Sequence, residues 1–341
     1  MDDNTAERLT AAARQARDSE DDQDGHAYWG LLDEALVADG GAAALRTGTA
    51  LLAAADPLAR QVGCDLLSGA ADRYAPARGP VAEALTALAA TETAVGVLRS
   101  LAAGLGRTAD PRALPVLLRL AGHPDAELRF HVACALGSVE DGGPDGEDVR
   151  ALLRLTADED AEVRNWAVFS LGCLRDHDTP AVRAALWRCA EDADAEVRQE
   201  AARCLARRHA PGTVELVARL LADDGPGTHL LEAAEILGDP ALLPALRAHG
   251  DGAGTEEAVA ACDPARRART EDDAWALVRE LERLRPGLGA ALHAPRHDSV
   301  HALRVTVPGA DRDGYAAADL LERADGDPAR AAGLLLADLA G

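Results

Sequence analysis

One phrase is written three times near the middle of the chain: DAELRFHVACALG from Asp125, DAEVRNWAVFSLG from Asp160 and DAEVRQEAARCLA from Asp194. The starting aspartates lie 35 and 34 residues apart. A fixed period of that length marks stacked supersecondary units, none of which can bury its apolar face alone. The chain of 341 residues is therefore expected to fold as an array in which each unit packs on its neighbours.

The phrase reads as the start of a helix. Asp125, Asp160 and Asp194 stand where a carboxylate caps orphan backbone N–H groups, and Glu127, Glu162 and Glu196 complement the dipole of the first turn. Counting each aspartate as zero, positions three, seven, ten and eleven share one face at helical spacing and form the expected core. Position eleven is a closing leucine, and the series Leu67, Leu105, Leu136, Leu171, Leu205 and Leu237 extends the period in both directions. Shorter amphipathic stretches lie between the phrases, at 112–121, 148–156, 180–190, 213–221 and 241–248. Each unit is thus helix A, a tight acidic turn and helix B. Arg129, Arg164 and Arg198 recur at position four and are expected to bond across to the next unit.

Composition narrows the chemistry. Aromatic residues make up only 3%, so the core must come from Ala, Leu and Val, a mix that favours helices. There is no lysine, which removes the Walker A, kinase and Schiff-base chemistries that depend on one. The net charge is −23 and no long segment is basic overall, which argues against nucleic acid as a partner. No apolar stretch reaches membrane-spanning length, and the acidic start lacks a signal region; a cytoplasmic protein is expected. The six cysteines form no C-x-x-C pair and read as small core hydrophobes.

The D-x-x-V-R phrase, the helix–turn–helix period and the Ala/Leu core resemble HEAT repeats of the short bacterial type first associated with phycobilin lyases. The resemblance is strong over 110–224 and weaker over 56–109 and 225–250. It implies an all-α fold, a right-handed α-solenoid of HEAT-like helical hairpins with an irregular C-terminal cap, whose B helices line a concave surface that binds other proteins. It also implies an alternative, since a minority of such arrays are enzymes, either DNA glycosylases or chromophore lyases.

The expected organisation is an N-terminal tail and helical cap over 1–55, with a frayed start, and the repeat array over 56–250. A linker over 251–270 follows, then a mostly helical cap or small domain over 271–341. In that tail a helix is expected from about Glu271, capped by Thr270, and a short strand over 301–307. The acidic stretch from Glu140 to Asp148 reads as a solvated linker. His293, His297 and His301 are spaced by four, but Pro295 interrupts them, so no metal site is expected there and no cofactor elsewhere.

The candidate binding residues are those of the B helices that point away from the core, at positions five, six and nine. They include Phe130 and His131 in one copy, Asn165, Trp166 and Phe169 in the next, and Gln199, Glu200 and Arg203 in the third. Both phenylalanines of the chain fall in this set, and large aromatics outside a core are typical binding anchors. The competing reading is that these rings fill gaps between neighbouring B helices. The acids in surplus of capping at Asp158, Glu159, Glu191 and Asp192 read first as a solubilising edge, and as the alternative suggest attraction toward a basic segment of a protein partner. The expected function is a noncatalytic protein-binding scaffold.

Overall fold

The structure, a computed structural model, describes residues 3–18, 22–37, 41–139, 142–175, 177–250, 254–293, 303–310 and 314–339. The chain divides into two compact units, residues 1–185 and 186–341, with the division inside helix α11 (Pro180–Cys189).

The first unit opens with α1 (Asp3–Asp18) and α2 (Asp22–Val37), followed by α3 (Ala42–Leu51) and α4 (Pro57–Arg73). The expected frayed start is therefore helical: Leu9 and Ala13 of α1 are buried, and both α1 and α2 pack on α4. The hairpins α5 (Arg78–Leu88)/α6 (Val95–Thr108), α7 (Leu114–Leu120)/α8 (Ala126–Ser138) and α9 (Glu147–Leu155)/α10 (Ala161–Phe169) continue the unit. The second unit holds α12 (Ala195–Arg207), the pairs α13 (Thr213–Asp224)/α14 (Thr228–Leu237) and α15 (Leu243–Arg247)/α16 (Thr255–Cys262), and a terminal section.

The repeat phrase folds as its periodicity requires. Leu128, Val132, Ala135 and Leu136 are buried on α8; Val163, Ala167, Ser170 and Leu171 follow in the next copy, and Val197, Ala201, Cys204 and Leu205 on α12. Fully burying one leucine stabilises by about 1.5–3 kcal/mol, so regular small residues around each closing leucine hold the stack. The aspartates cap: Asp125 accepts from Leu128 N, while Asp160 and Asp194 each accept from the second and third backbone N–H of their helices. Asp56, Asp263 and Asp327 do the same ahead of a proline at the first helical position, where the missing N–H costs nothing.

Position four is a clamp. Arg129 donates to the His123 and Pro124 carbonyls of its own turn and, at 2.8 Å, to both oxygens of Asp158 in the following turn. Arg198 repeats this with the Asp192 and Ala193 carbonyls and Asp224, and Arg60 with the Ala54 and Ala55 carbonyls and Glu92. The surplus turn acids are thereby largely consumed. Asp158 is the receptor of Arg129, and Asp192 accepts the N–H of Asp194, so those two serve the fold rather than a distant partner.

The loop before α9 departs most from expectation. Glu140 and Asp141 lie outside the described residues, but Asp148 is wholly buried against Arg175. Nη2 of Arg175 also donates to the carbonyls of Leu136 and, at 2.6 Å, Val139. Between α10 and Arg175 the backbone runs as a π-helical turn, Ser170–Leu174. It approaches α8 closely: Ser170 Oγ donates to the Ala133 carbonyl at 2.9 Å, and a methyl group at Gly137 would stand 2.8 Å from that hydroxyl.

In the terminal section α17 starts at Pro264, not near Glu271, and runs to Leu284 with Asp263 as its cap; Thr270 lies inside it, bonded to the Arg266 carbonyl. The expected strand is present as β2 (Arg304–Thr306), central in an antiparallel sheet of order β1 (Ala291–His293), β2, β3 (Tyr315–Ala316). With α18 (Ala317–Arg323) and α19 (Pro328–Asp338), these elements enclose a core of Leu277, Leu281, Val305, Leu320 and Leu335. All six cysteines are free thiols, and four of them are buried.

Candidate functional site

In the first unit the B-helix face can be read copy by copy. Counting from the residue before each helix, positions five, six and nine are Gln61, Val62 and Asp65 on α4; Arg99, Ser100 and Ala103 on α6; Phe130, His131 and Cys134 on α8; and Asn165, Trp166 and Phe169 on α10. One end of this face carries aromatic rings and the other borders a cavity.

The rings form a continuous edge-to-face series. His131 and Phe130 stand 4.9 Å apart between centroids, Phe130 and Trp166 5.5 Å at 87°, and Trp166 and Phe169 5.3 Å at 77°. The Phe130–Trp166 contact joins α8 to α10. All four rings, and Asn165 beside them, are half-buried: they pack on one another and keep part of their surface open. Burial holds His131 below the ordinary imidazole range, against the opposing pull of Glu127, so its ring is neutral at neutral pH and adds to an apolar strip.

The cavity, about 850 Å³, lies between α4 and α6, reaches Glu127 and His131 of α8, and is roofed by α1 and α2. Its charged groups are mostly matched: Arg107 meets Asp72 at 2.9 Å, Arg73 meets Asp33 at 3.7 Å, and Arg99 holds both Asp125 and Glu127. Asp65 differs. It receives the Tyr28 hydroxyl at 2.7 Å and is supported by Ser100, both neutral, and among the described residues it has no ion-pair partner. Burial pushes its carboxyl above the usual carboxylate range despite those two hydrogen bonds.

The third expected group lies in the second unit, and one of its members is displaced from the expected surface. Glu200 is 2% exposed, not on the solvent side. Arg203 reaches back one turn to bind it at 2.7 Å and spans to Glu232 of α14 at 3.1 Å; Gln199 is half-buried. A carboxylate needs such a partner when helix packing covers it, so Glu200 and Arg203 form a brace between α12 and α14. Of the three spaced histidines, His293 ends β1, and His297 and His301 lie outside the described residues. Sequence reasoning missed Asp65 and its cavity, although Asp65 is position nine of a copy that starts at Asp56 and closes at Leu67.

Among the described residues no helix is long and apolar enough to cross a membrane. A family model of HEAT repeats matches residues 82–172 and 149–238. The X-ray structure of YibA from E. coli is similar over 77% of this chain and 92% of its own, at 20% identity and a TM-score of 0.56. An engineered protein aligns over 85% of each chain at 18% identity and a TM-score of 0.46. The complex of CpcE and CpcF of phycocyanin lyase from Nostoc sp. PCC7120 aligns over 64% of this chain and 86% of its own, at 18% identity and a TM-score of 0.42. No curated protein matches the chain.

Proposed function

Because the chain is a HEAT-like repeat protein, we propose that it is a noncatalytic scaffold that grips a protein partner along the B-helix face of its first unit. The observation that carries this reading is the half-buried ring series His131–Phe130–Trp166–Phe169. A rigid aromatic strip has little rotamer freedom left to lose on binding, and Trp and Tyr anchors dominate interface energetics for that reason. Mutual packing fixes the rings, while their open edges supply the apolar contact. An amphipathic or extended segment with basic residues would suit the strip, since Glu162, exposed in the first turn of α10, acts on Cys134 of the same face.

Phosphate recognition fits less well. Arg73, Arg99 and Arg107, the arginines nearest this face on α4 and α6, are each tied to a carboxylate, and a nucleic-acid groove needs them free for phosphate.

The test is affinity capture from source-cell lysate followed by hydrogen-exchange footprinting of the complex. Protection over 130–131 and 165–169, lost together with the partner in Phe169→Ala, is the expected result. A captured partner that protects only other surfaces, or none that depends on Phe169, overturns the assignment.

A further inference from the structure

The cavity under α1 and α2 carries chemistry that protein binding on the ring strip does not use. Four carboxylates border it: Asp33, Asp65, Asp72 and Glu127. Three are within ion-pair distance of arginine. Among the described residues, Asp65, on the wall of α4, has only the hydroxyls of Tyr28 and Ser100 as side-chain partners. Leaving one carboxylate without a cation in a desolvated wall is unfavourable unless something compensates it. Tyr28 is buried beneath the roof, whereas its neighbour Trp29 is 56% exposed and stacks edge-on to it at 5.2 Å. The space is therefore bounded by an acid in its wall, apolar Leu32, Leu36 and Val62 beside it, and an aromatic ring at its rim.

We infer that this cavity is a binding site for an organic cation, a protonated amine or guanidinium on a short apolar stem, whose charge is received by Asp65. The acid supplies a charge-assisted hydrogen bond, the Tyr28 and Trp29 rings offer cation–π contact, and the leucine-lined wall takes the stem. Volume supports the class: about 850 Å³ falls in the range of small-molecule sites. The inference is independent of the protein-binding reading, because a free amine and a lysine or arginine side chain present the same chemistry.

Calorimetric titration of the full chain with agmatine, with lysine capped at both ends, and with n-pentanol as a neutral stem tests it. At least one cation should bind saturably in the millimolar range or tighter and pentanol should not, with Asp65→Asn weakening the cation at least roughly tenfold. Ala103→Phe, which puts a ring into the cavity and leaves the acid in the sequence, should abolish binding as well. Tighter binding of agmatine identifies a free small molecule as the occupant, and equal or tighter binding of capped lysine identifies a side chain. Absence of saturable binding by either cation, or unchanged binding by Asp65→Asn, overturns the inference.

Discussion

Asp148 and Arg175 meet 2.9 Å apart with side chains 0% and 1% exposed, an ion pair sealed inside the first unit. The arginine also closes the end of α8 by taking the Leu136 and Val139 carbonyls. One side chain thus joins the end of one B helix, the start of α9 and the π-helical turn after α10. Removing one partner leaves a buried charge uncompensated. Arg175→Leu should cost about 3–5 kcal/mol in denaturant unfolding, and the double variant Asp148→Leu, Arg175→Leu should recover part of that loss.

Arg60 and Glu92 set up a pH-dependent bond. The hydrogen bonds from Arg60 hold the Glu92 carboxyl below its ordinary 4.5, with backbone N–H groups of Ala94 and Thr93 adding to them and burial opposing. A depressed carboxyl contributes stability above its unfolded value and loses it as pH falls through the folded one. Glu92→Gln should cost roughly 1–3 kcal/mol at pH 7. Chemical unfolding of both proteins below pH 4 should show the difference closing.

Asp65 has the opposite sign. Its carboxyl is raised from the ordinary 3.8 by burial, so its contribution is fully favourable only below the unfolded value and fades as pH rises through the folded one. Asp65→Asn keeps an acceptor for Tyr28 and removes the charge. It should be more stable than the parent by about 1 kcal/mol at pH 7, with the two proteins converging near pH 3, as followed by thermal unfolding.

Phe130 and Trp166 couple α8 to α10 across an edge-to-face contact of 5.5 Å. A double-mutant cycle with leucine at both positions should return about 0.5–1.5 kcal/mol of coupling beyond area burial. Coupling near zero would mean that the rings sit side by side without supporting the stack.

The core was legible because small and branched residues recur at helical spacing: position eleven announces itself as leucine in every copy, and a capping aspartate marks the start of α4, α8, α10 and α12. The arginine clamp is legible in direction at Arg129 and Arg198 but not at Arg60, whose copy reads DPLAR and hides the phrase behind a proline. The Asp148–Arg175 pair could not be read from spacing, since its members lie in unlike local contexts and meet only through packing. The cavity was hidden for another reason. Its floor comes from repeats, but part of its roof is α1, whose charged composition suggests fraying until Leu9 and Ala13 are buried and the helix packs on α4.

The arginine clamp gives the array a reading direction. Arg60, Arg129 and Arg198 each grip an acid that comes later in the chain, so a copy depends on its successor for its own closure. A copy moved elsewhere, or left at a cut end, brings an arginine already tied to its own turn and a demand for an acid about one period ahead. Shuffled or shortened arrays should therefore tolerate loss at the leading edge better than at the trailing edge.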